Sequence, residues 1–320
     1  MEYKVLILLA TYNGEKYLRR QLDSLIAQTY DNWEIVIRDD NSSDSTVSIV
    51  EEYLNLISKI SLLKTDRIPS GACANFAELF NWAIDNKDFD YLMFCDQDDI
   101  WLPGKIELSV SQLSDRNRFN ANEGNLIYGS LNIIDENDIK TGEKIEVFKP
   151  TKKTIISQNP MFGCTMMLNR KMADLVNRIP HLAENHDYWV ALVNLFFGNC
   201  EPFIDERIWY RQHAQNVTSQ GNSFSKRIRR YVGDQQVKEL RLKLYTLSLF
   251  VKTYKTRLKR RDLELISTFV SSFRARTPFQ AISTMIKNKI YRNTLFQNLA
   301  FCAVILFKYE HIKTFNQVDE

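Results

Sequence analysis

The chain of 320 residues is 44% hydrophobic and 25% charged, which excludes a disordered or low-complexity protein. Its length suffices for one large domain, or for a domain of about 200–250 residues with an appendage. The net charge of +3 hides an asymmetry: residues 1–225 contain 22 basic and 32 acidic side chains, whereas residues 226–318 contain 20 and 5. We therefore expect an acidic and a basic region with different tasks.

The five cysteines are odd in number and form no CxxC pair, which argues against a disulfide framework and a thiolate zinc site. The amino-terminal residues lack the pattern of a signal peptide. The longest fully apolar run, from Leu299 to Phe307, is too short to span a bilayer. These features predict a cytoplasmic protein.

In chain order, apolar runs alternate with amphipathic segments over the first hundred residues. The runs predict strands at 5–10, 33–38, 60–63 and 91–95, and the segments between them predict helices at about 17–26, 47–54 and 76–84, the first capped by Asn13. This alternation predicts a mostly parallel α/β sheet with helices on its faces. The turn after the first strand is not GxGxxG, which disfavours a dinucleotide-binding fold.

The alternation weakens after residue 100. Short strands are predicted at 126–128 and 166–168, and a helix at 186–197. Residues 226–313 have long helix-compatible segments rich in Lys and Arg. We therefore predict a catalytic or binding domain over 1–222 and a basic helical region over 223–320.

Polar residues follow three of the predicted strands, at 11–13, 39–40 and 96–99. The carboxyl ends of strands in open α/β sheets are where ligands bind. The last segment, Asp-Gln-Asp-Asp, brings three carboxylates together, and such a cluster is costly to bury without a cation. Mg²⁺ or Mn²⁺ with substrate phosphates would compensate it. A solvated acidic turn is the alternative.

Five further side chains have the chemistry of a ligand site. Asp40 could accept a hydrogen bond from a base or ribose, or could cap a helix. Tyr12 could stack on a base, or pack ordinarily. Asp187, at the start of a predicted helix, could be a general base or a cap. Arg211 suits a diphosphate and His213 a divalent metal, although either could be a surface residue.

Three motifs resemble those of family 2 glycosyltransferases with the GT-A fold, across about residues 3–220: LATYN at 9–13, DDNSSDST at 39–46 and DQDDIWLPGK at 96–105. The last motif, together with GCTMM at 163–167, HDYW at 186–189 and YRQH at 210–213, resembles bacterial rhamnosyltransferases of polysaccharide assembly. Such proteins use dTDP-L-rhamnose and act at the cytoplasmic face of the membrane. No GxSxG elbow or Walker loop points elsewhere.

The resemblance implies a role for each candidate residue. Tyr12, Asp40 and Thr11 would form the base pocket. Asp96 and Asp98 would form the DxD motif, with Asp98 as the metal ligand. Asp99 would be an additional contact, and His213 would complete the metal site. Arg211 would lie near the diphosphate, and Asp187 would be the catalytic base. The family commonly has Glu before this Asp, but here the residue is His186. The processive motif QxxRW is absent, which implies one sugar added per encounter.

The implied reaction is a metal-dependent, inverting transfer of rhamnose to a lipid-linked saccharide. A UDP-hexose or UDP-N-acetylhexosamine donor stays open, because the sequence of the base pocket barely separates dTDP from UDP. A nucleotidyltransferase and a non-enzymatic sugar-binding protein are more distant alternatives.

The basic region has cation clusters at 226–230 and 252–261, with apolar positions between them. Basic amphipathic helices are typical of attachment to anionic membranes, so we predict peripheral attachment to the inner face of the cell membrane. Helices packed with a solvated basic face, and a homodimer, are alternatives. No nucleic-acid motif accompanies the charge, which disfavours nucleic acid as a partner.

Overall fold

The computed structural model describes residues 3–65, 70–203, 207–213 and 233–314. The chain divides into two compact units. Unit 1 comprises Met1–Lys149, Met161–His181 and Asn185–Ser219, and unit 2 comprises Pro150–Pro160, Leu182–Glu184 and Gln220–Glu320. The predicted domain boundary after residue 222 lies outside the described residues. Residues 150–160 and 182–184 belong to unit 2. The sequence analysis assigned them to the first domain.

Unit 1 is built on two sheets. Its strands in chain order are β1 Val5–Thr11, β2 Trp33–Asp39, β3 Ile60–Leu62, β4 Tyr91–Cys95, β5 Ile100–Trp101, β6 Asn125–Gly129, β7 Leu131–Ile134, β8 Lys140–Ile145, β9 Met167–Asn169, β10 Asn199–Phe203 and β11 Ile208–Arg211. The large sheet has the order β10-β6-β9-β4-β1-β2-β3, and the small sheet β5-β11-β7-β8. In the large sheet only β9 is antiparallel to its neighbours. The predicted mostly parallel sheet is confirmed.

Strand β1 is central to the large sheet and buried along its whole length, as a continuous apolar run requires. It pairs in parallel with β2 and β4, in register Leu9 to Ile37 and Leu9 to Cys95. The carboxyl ends of the three strands therefore meet at one edge. This register brings the polar segments at 11–13, 39–40 and 96–99 together.

Six helices belong to unit 1 with the sheets: α1 Leu18–Ile26, α2 Thr46–Leu56, α3 Ala72–Asn86, α4 Lys105–Leu113, α6 Arg170–Val176 and α7 His186–Phe197. The short helix α5, Lys152–Ser157, belongs to unit 2. The prediction that Asn13 caps α1 is wrong. Tyr17 occupies the N-cap, while Asn13 has a positive φ of 45° and its Oδ1 accepts a hydrogen bond from the Ser43 amide. Asn13 thus joins two loops.

Unit 2 is helical, with α8 Asp234–Tyr254, α9 Arg260–Ser272, α10 Pro278–Asn288 and α11 Leu295–Ile312. Its separate segments are tied to these helices by the ion pairs Lys152–Asp262 and Glu184–Lys243. The predicted helices at the carboxyl-terminal end are confirmed. Over the part of the chain that the structure describes, every helix is too short or too polar to cross a membrane.

The apolar positions between the two basic clusters do not form a free amphipathic face. Leu244, Leu247 and Phe250 on α8 are fully buried in the core of unit 2. The cluster at 226–230 lies outside the described residues. These three side chains are therefore not available to a membrane while the unit is folded, which corrects the sequence interpretation for them. Leu242, Tyr245 and Leu249 on the same helix are partly exposed.

Candidate active site

The end of β1 is fixed to the end of β2 by buried hydrogen bonds. The Thr11 hydroxyl donates to Asp39 Oδ1 over 2.7 Å, and the Ser42 amide donates to Asp39 Oδ2 over 2.7 Å. The Asp40 amide donates to the Thr11 carbonyl over 2.9 Å. Asp39 thus holds the loop, while Thr11 and Asp40 lie side by side.

Asp40 is buried and its charge is compensated by basic and amide groups. Its Oδ2 accepts a hydrogen bond of 2.7 Å from the Gly71 amide, and the Arg38 guanidinium lies 3.5 Å from its Oδ1. Arg38 is in turn held by Asn75 over 2.9 Å. Among the described residues, no donor forms a hydrogen bond with Asp40 Oδ1. A buried carboxylate oxygen in this state is suited to accept an N–H from a ligand.

Tyr12 has an exposed ring on an anchored backbone. The Gln97 side chain accepts a hydrogen bond from the Tyr12 amide and donates one to the Tyr12 carbonyl, each of 2.9 Å. The ring itself is 57% exposed. Because a Cβ at Gly14 would lie 2.2 Å from Gln97 Oε1, the clamp also requires glycine there. Our sequence analysis missed Gln97, although its place inside the acidic motif was a signal.

The acidic loop after β4 brings two carboxyl groups close together, that of Asp99 buried and that of Asp96 partly buried. Ligand atoms of Asp96, Asp99 and Cys164 lie within 4.8 Å of one another. Burial, followed by the charges of Asp98 and Asp187, raises the pKa of Asp96 to about 7. Burial, followed by Asp98 and Asp96, raises the pKa of Asp99 well above its usual range. Such crowding is what a bound cation relieves.

The Asp98 and His213 side chains meet at this loop. His213 Nε2 lies 2.8 Å from Asp98 Oδ2, and the imidazole packs against the Tyr17 ring. Carboxylate oxygens with one imidazole nitrogen form a donor set that fits Mn²⁺, and Mg²⁺ through the oxygens. Burial and the charges of Asp99 and Asp96 raise the pKa of the Cys164 thiol. A thiol is also a soft donor, whereas Mg²⁺ and Mn²⁺ favour oxygen ligands.

Arg211 is fully buried and supports the acidic loop from behind. Its Nε donates to the Asp98 carbonyl over 2.8 Å, and its Nη1 donates to the Asp135 carbonyl over 3.1 Å. It also pairs with Asp138 and lies over the Tyr17 ring at 4.4 Å. Burial raises the pKa of Asp138, but hydrogen bonds from Arg20 and Arg211 outweigh it and hold that pKa below its usual range. These contacts position the backbone of the loop.

Asp187 lies in the first turn of α7 and faces the same region. Its Oδ2 accepts a hydrogen bond of 3.2 Å from the Gly163 amide. Cys164, the residue after Gly163, has its thiol within 4.8 Å of the Asp96 and Asp99 carboxyl groups, so Asp187 lies beside the segment that contacts the acidic loop. Asp187 is only partly buried, so a substrate hydroxyl could reach it.

His186, the residue before it, belongs to the core. Its ring stacks on Phe76 with centroids 4.0 Å apart and contacts Phe94 at 4.8 Å. Burial lowers the pKa of His186 to about 3, so the imidazole is neutral. A Cβ at Gly163 would lie 2.5 Å from His186 Nε2. His186 and Gly163 thus fix the start of α7, and His186 has no access to a substrate.

The site therefore has two parts at one sheet edge: a polar cluster of Thr11, Tyr12 and Asp40, and an acidic cluster around Asp98, bridged by Gln97. The model of the family described as "Glycosyl transferase family 2" matches residues 6–174. The chain belongs to this family. A parallel sheet with an acidic loop at its carboxyl edge fits such a glycosyltransferase.

Two curated relatives are similar in sequence to about two thirds of this glycosyltransferase. "UDP-Glc:alpha-D-GlcNAc-diphosphoundecaprenol beta-1,3-glucosyltransferase WfgD" of Escherichia coli is 29% identical over 222 residues, which is 68% of this chain and 81% of the relative. "dTDP-rhamnosyl transferase RfbG" of Shigella flexneri is 30% identical over 235 residues, 69% of this chain and 77% of the relative. The resemblance to rhamnosyltransferases is thereby confirmed.

Solved structures share the fold of this glycosyltransferase. The crystal structure of S. aureus TarS 1–349 in complex with UDP-GlcNAc covers 98% of this chain and 90% of its own, with a TM-score of 0.55 and 16% identity. The mannosyltransferase PcManGT from Pyrobaculum calidifontis, in complex with GDP-Man and Mn²⁺, covers 98% and 85%, with a TM-score of 0.52 and 13% identity. The GT-A fold is confirmed.

Proposed function

We propose that this family 2 glycosyltransferase moves L-rhamnose from dTDP-L-rhamnose to a hydroxyl of a lipid-linked polysaccharide precursor, with inversion at the anomeric carbon. The observation that carries the proposal is the meeting of the polar cluster, the acidic cluster and Asp187 at one sheet edge. The name of RfbG supports the donor, and the diphosphoundecaprenol in the name of WfgD supports a lipid-linked acceptor.

The polar cluster would form the base pocket and bind the thymine of the donor. The exposed Tyr12 ring offers a face for stacking, and the hydroxyl of Thr11 lines the pocket from β1. Asp40 Oδ1, which lacks a hydrogen bond among the described residues, would accept the imide N–H of the base. Thymine and uracil share that N–H, which is why the pocket alone does not separate dTDP from UDP.

The acidic cluster would hold a divalent cation, Mn²⁺ or Mg²⁺, through Asp98 and His213. Asp96 and Asp99 add negative charge beside it, and the raised pKa of Asp96 reflects how poorly that charge is compensated by the protein alone. When bound, the cation supplies electrostatic stabilisation to the leaving diphosphate. Arg211 positions the Asp98 backbone; its direct contact with the diphosphate remains a prediction.

Asp187 would act as the general base. It takes the proton from the acceptor hydroxyl as that oxygen attacks C1 of the sugar, and the bond from C1 to the diphosphate oxygen breaks. The products are the glycosylated acceptor and a nucleoside diphosphate. The transition state resembles an oxocarbenium ion, and a single displacement inverts the anomeric centre.

The decisive experiment measures release of nucleoside diphosphate across a panel of nucleotide sugars, with Mg²⁺, Mn²⁺ or EDTA. We expect selective, metal-dependent turnover of dTDP-rhamnose and loss of turnover in EDTA. Preference for UDP-glucose, which the name of WfgD favours, would overturn the rhamnosyl assignment and keep the residue roles. Release of pyrophosphate from a nucleoside triphosphate would indicate a nucleotidyltransferase. No turnover of any donor would favour a non-enzymatic sugar-binding protein.

The proposal includes work at the anionic inner face of the cell membrane. The excess of basic residues over 226–318 and a lipid-linked acceptor support it. A homodimer through the helical unit is the alternative use of that region. Light scattering of the full chain, with and without anionic vesicles, distinguishes the two.

A further inference from the structure

Helix α11 presents an apolar face to solvent. Leu295, Leu299 and Phe307 are 76%, 62% and 76% exposed, and Leu306 beside the last is also exposed. They recur at helical spacing along one side, while Phe301, Val304 and Ile305 on the other side are buried in unit 2. A surface helix is normally polar on its outer face. Contiguous exposed apolar surface marks a binding face.

The apolar face continues into the turn that joins α10 to α11. Ile286 and Tyr291 are both exposed, and the Tyr291 hydroxyl donates a hydrogen bond of 3.3 Å to the Ile286 carbonyl. Ser157, from the segment that joins unit 2, donates to the Tyr291 carbonyl over 3.2 Å. These hydrogen bonds hold the turn in place, so its apolar side chains form part of a fixed surface.

The charge along this part of the chain is mainly basic. Between Glu264 and Glu310 the chain contains no acidic residue and six basic ones: Arg274, Arg276, Lys287, Lys289, Arg292 and Lys308. Lys287 and Lys289 are exposed at the end of α10, next to Ile286 and the turn. Near Phe307 the charge is mixed, because Lys308 pairs with Asp234 and Glu310 is exposed. An apolar patch with a mainly basic border is complementary to an anionic surface with an apolar interior.

We propose that this apolar face, formed by Ile286, Tyr291, Leu295, Leu299, Leu306 and Phe307, docks on an anionic lipid bilayer, an inference that rests on the membrane part of the proposed function. The apolar side chains insert between the lipids, and the surrounding cations contact the phosphate headgroups. A second copy of the chain is a poorer occupant. A two-fold contact through this face would bring together two copies of a region that contains 20 basic and 5 acidic residues over 226–318.

The test measures co-sedimentation of the full chain with phosphatidylcholine vesicles, with and without phosphatidylglycerol. In the triple variant Leu295→Ser, Leu299→Ser, Phe307→Ser we expect binding to the anionic vesicles to fall at least about tenfold, because three exposed apolar side chains no longer insert. The matched control is Leu56→Ser with Ile139→Ser, which removes exposed apolar side chains from unit 1 and leaves binding unchanged.

A second variant tests the charge. Replacing Lys287 by Gln and Lys289 by Asn, which tolerates the left-handed backbone at that position, removes two cations from the border. We expect binding to fall about fivefold for each, and the dependence on phosphatidylglycerol to weaken. Wild-type binding that is equal without phosphatidylglycerol would overturn the inference.

Two further outcomes would overturn it. One is wild-type binding that the triple variant retains in full, which would move the membrane contact elsewhere. The other is a wild-type dimer in light scattering that becomes monomeric in the triple variant, which would make a second copy the occupant. Donor hydrolysis measured without vesicles is expected to be unchanged in every variant. A failure of the proposed reaction therefore appears in that assay, and a failure of the docking face appears in sedimentation.

Discussion

The two units of this glycosyltransferase treat charge and apolar surface in opposite ways. Unit 1 buries Asp40, Asp99 and Arg211, groups that are costly to remove from water. Hydrogen bonds and counter-charges compensate Asp40 and Arg211, whereas Asp99 is crowded by the charges of Asp98 and Asp96. Unit 2 leaves Leu295 and Phe307 in solvent, where they contribute nothing to its core. Neither choice favours stability. The two proposed ligands, a charged nucleotide sugar for unit 1 and a lipid surface for unit 2, would explain both.

This comparison predicts that the two tasks are separable. Substitutions in the acidic cluster of unit 1 change the chemistry and leave vesicle binding intact, and substitutions on α11 do the reverse. The following variants of unit 1 test that separation, in order of decreasing effect.

Asp187→Asn is expected to have the largest effect. Asn has nearly the same shape and does not accept a proton at neutral pH, so transfer to the acceptor should fall by roughly 10²–10⁴-fold while donor binding is retained. Transfer kinetics and a donor titration measure the two quantities. Asp174→Asn, at an exposed ion pair with Arg170, is the control. Near-normal transfer by Asp187→Asn would remove this residue from the mechanism.

His213→Ala tests the cation. Because His213 Nε2 meets Asp98 Oδ2 at 2.8 Å, its loss removes one ligand from the acidic cluster. The Mn²⁺ concentration for half-maximal donor hydrolysis should rise about 10–100-fold, and excess Mn²⁺ should restore activity. His181→Ala, whose imidazole pairs with Glu78, is the matched control. An unchanged metal dependence would place the cation elsewhere.

His186→Gln tests pH dependence. The pKa of His186 is lowered from 6.5 to about 3 by burial, so between these values the unfolded chain binds a proton that the folded chain does not. The free energy of unfolding is therefore highest above the unfolded pKa. It decreases as the pH falls below that value, by on the order of 2 kcal/mol at about pH 5.

The wild-type Tm should therefore fall between neutral pH and about pH 5. His186→Gln has no proton to gain, so its Tm should fall less, although it starts lower because the ring stacking on Phe76 is lost. His181→Gln, at a partly exposed imidazole, should keep the wild-type pH dependence. Parallel Tm profiles for the wild type and His186→Gln would contradict the neutral buried state.

Gln97→Ala should have the smallest effect. It removes both hydrogen bonds to the Tyr12 backbone and leaves every carboxylate in place. The donor KM should rise about tenfold, since the stacking ring is less well positioned, and kcat should change little. Gln112→Ala, at a partly exposed position of α4, controls for loss of an amide. A fall in kcat without a change in KM would show that Gln97 serves the acidic loop instead.

Much of this site could be predicted from local sequence, because its residues follow apolar strands. The runs ending at Ala10, Arg38 and Cys95 predicted three strands, and parallel pairing brings the polar residues that follow them to one edge. The prediction of Asn13 as a helix cap was wrong, because a contact with the distant Ser43 amide outweighs local capping. Asp138 left no signal, since it reaches Arg211 only through the second sheet.

The sequence by itself determined the family, the mostly parallel sheet, the helical carboxyl-terminal region and the set of carboxylates at the strand ends, because each depends on residue order and hydrophobic period. Only the tertiary structure decided that His213 meets Asp98, that Arg211 is buried behind the loop, and that Leu244, Leu247 and Phe250 of α8 are buried while Leu295, Leu299 and Phe307 of α11 are exposed. These features depend on which faces pack together. The sequence shows that a position is apolar, but it does not show whether that side chain packs on another helix or is exposed to solvent.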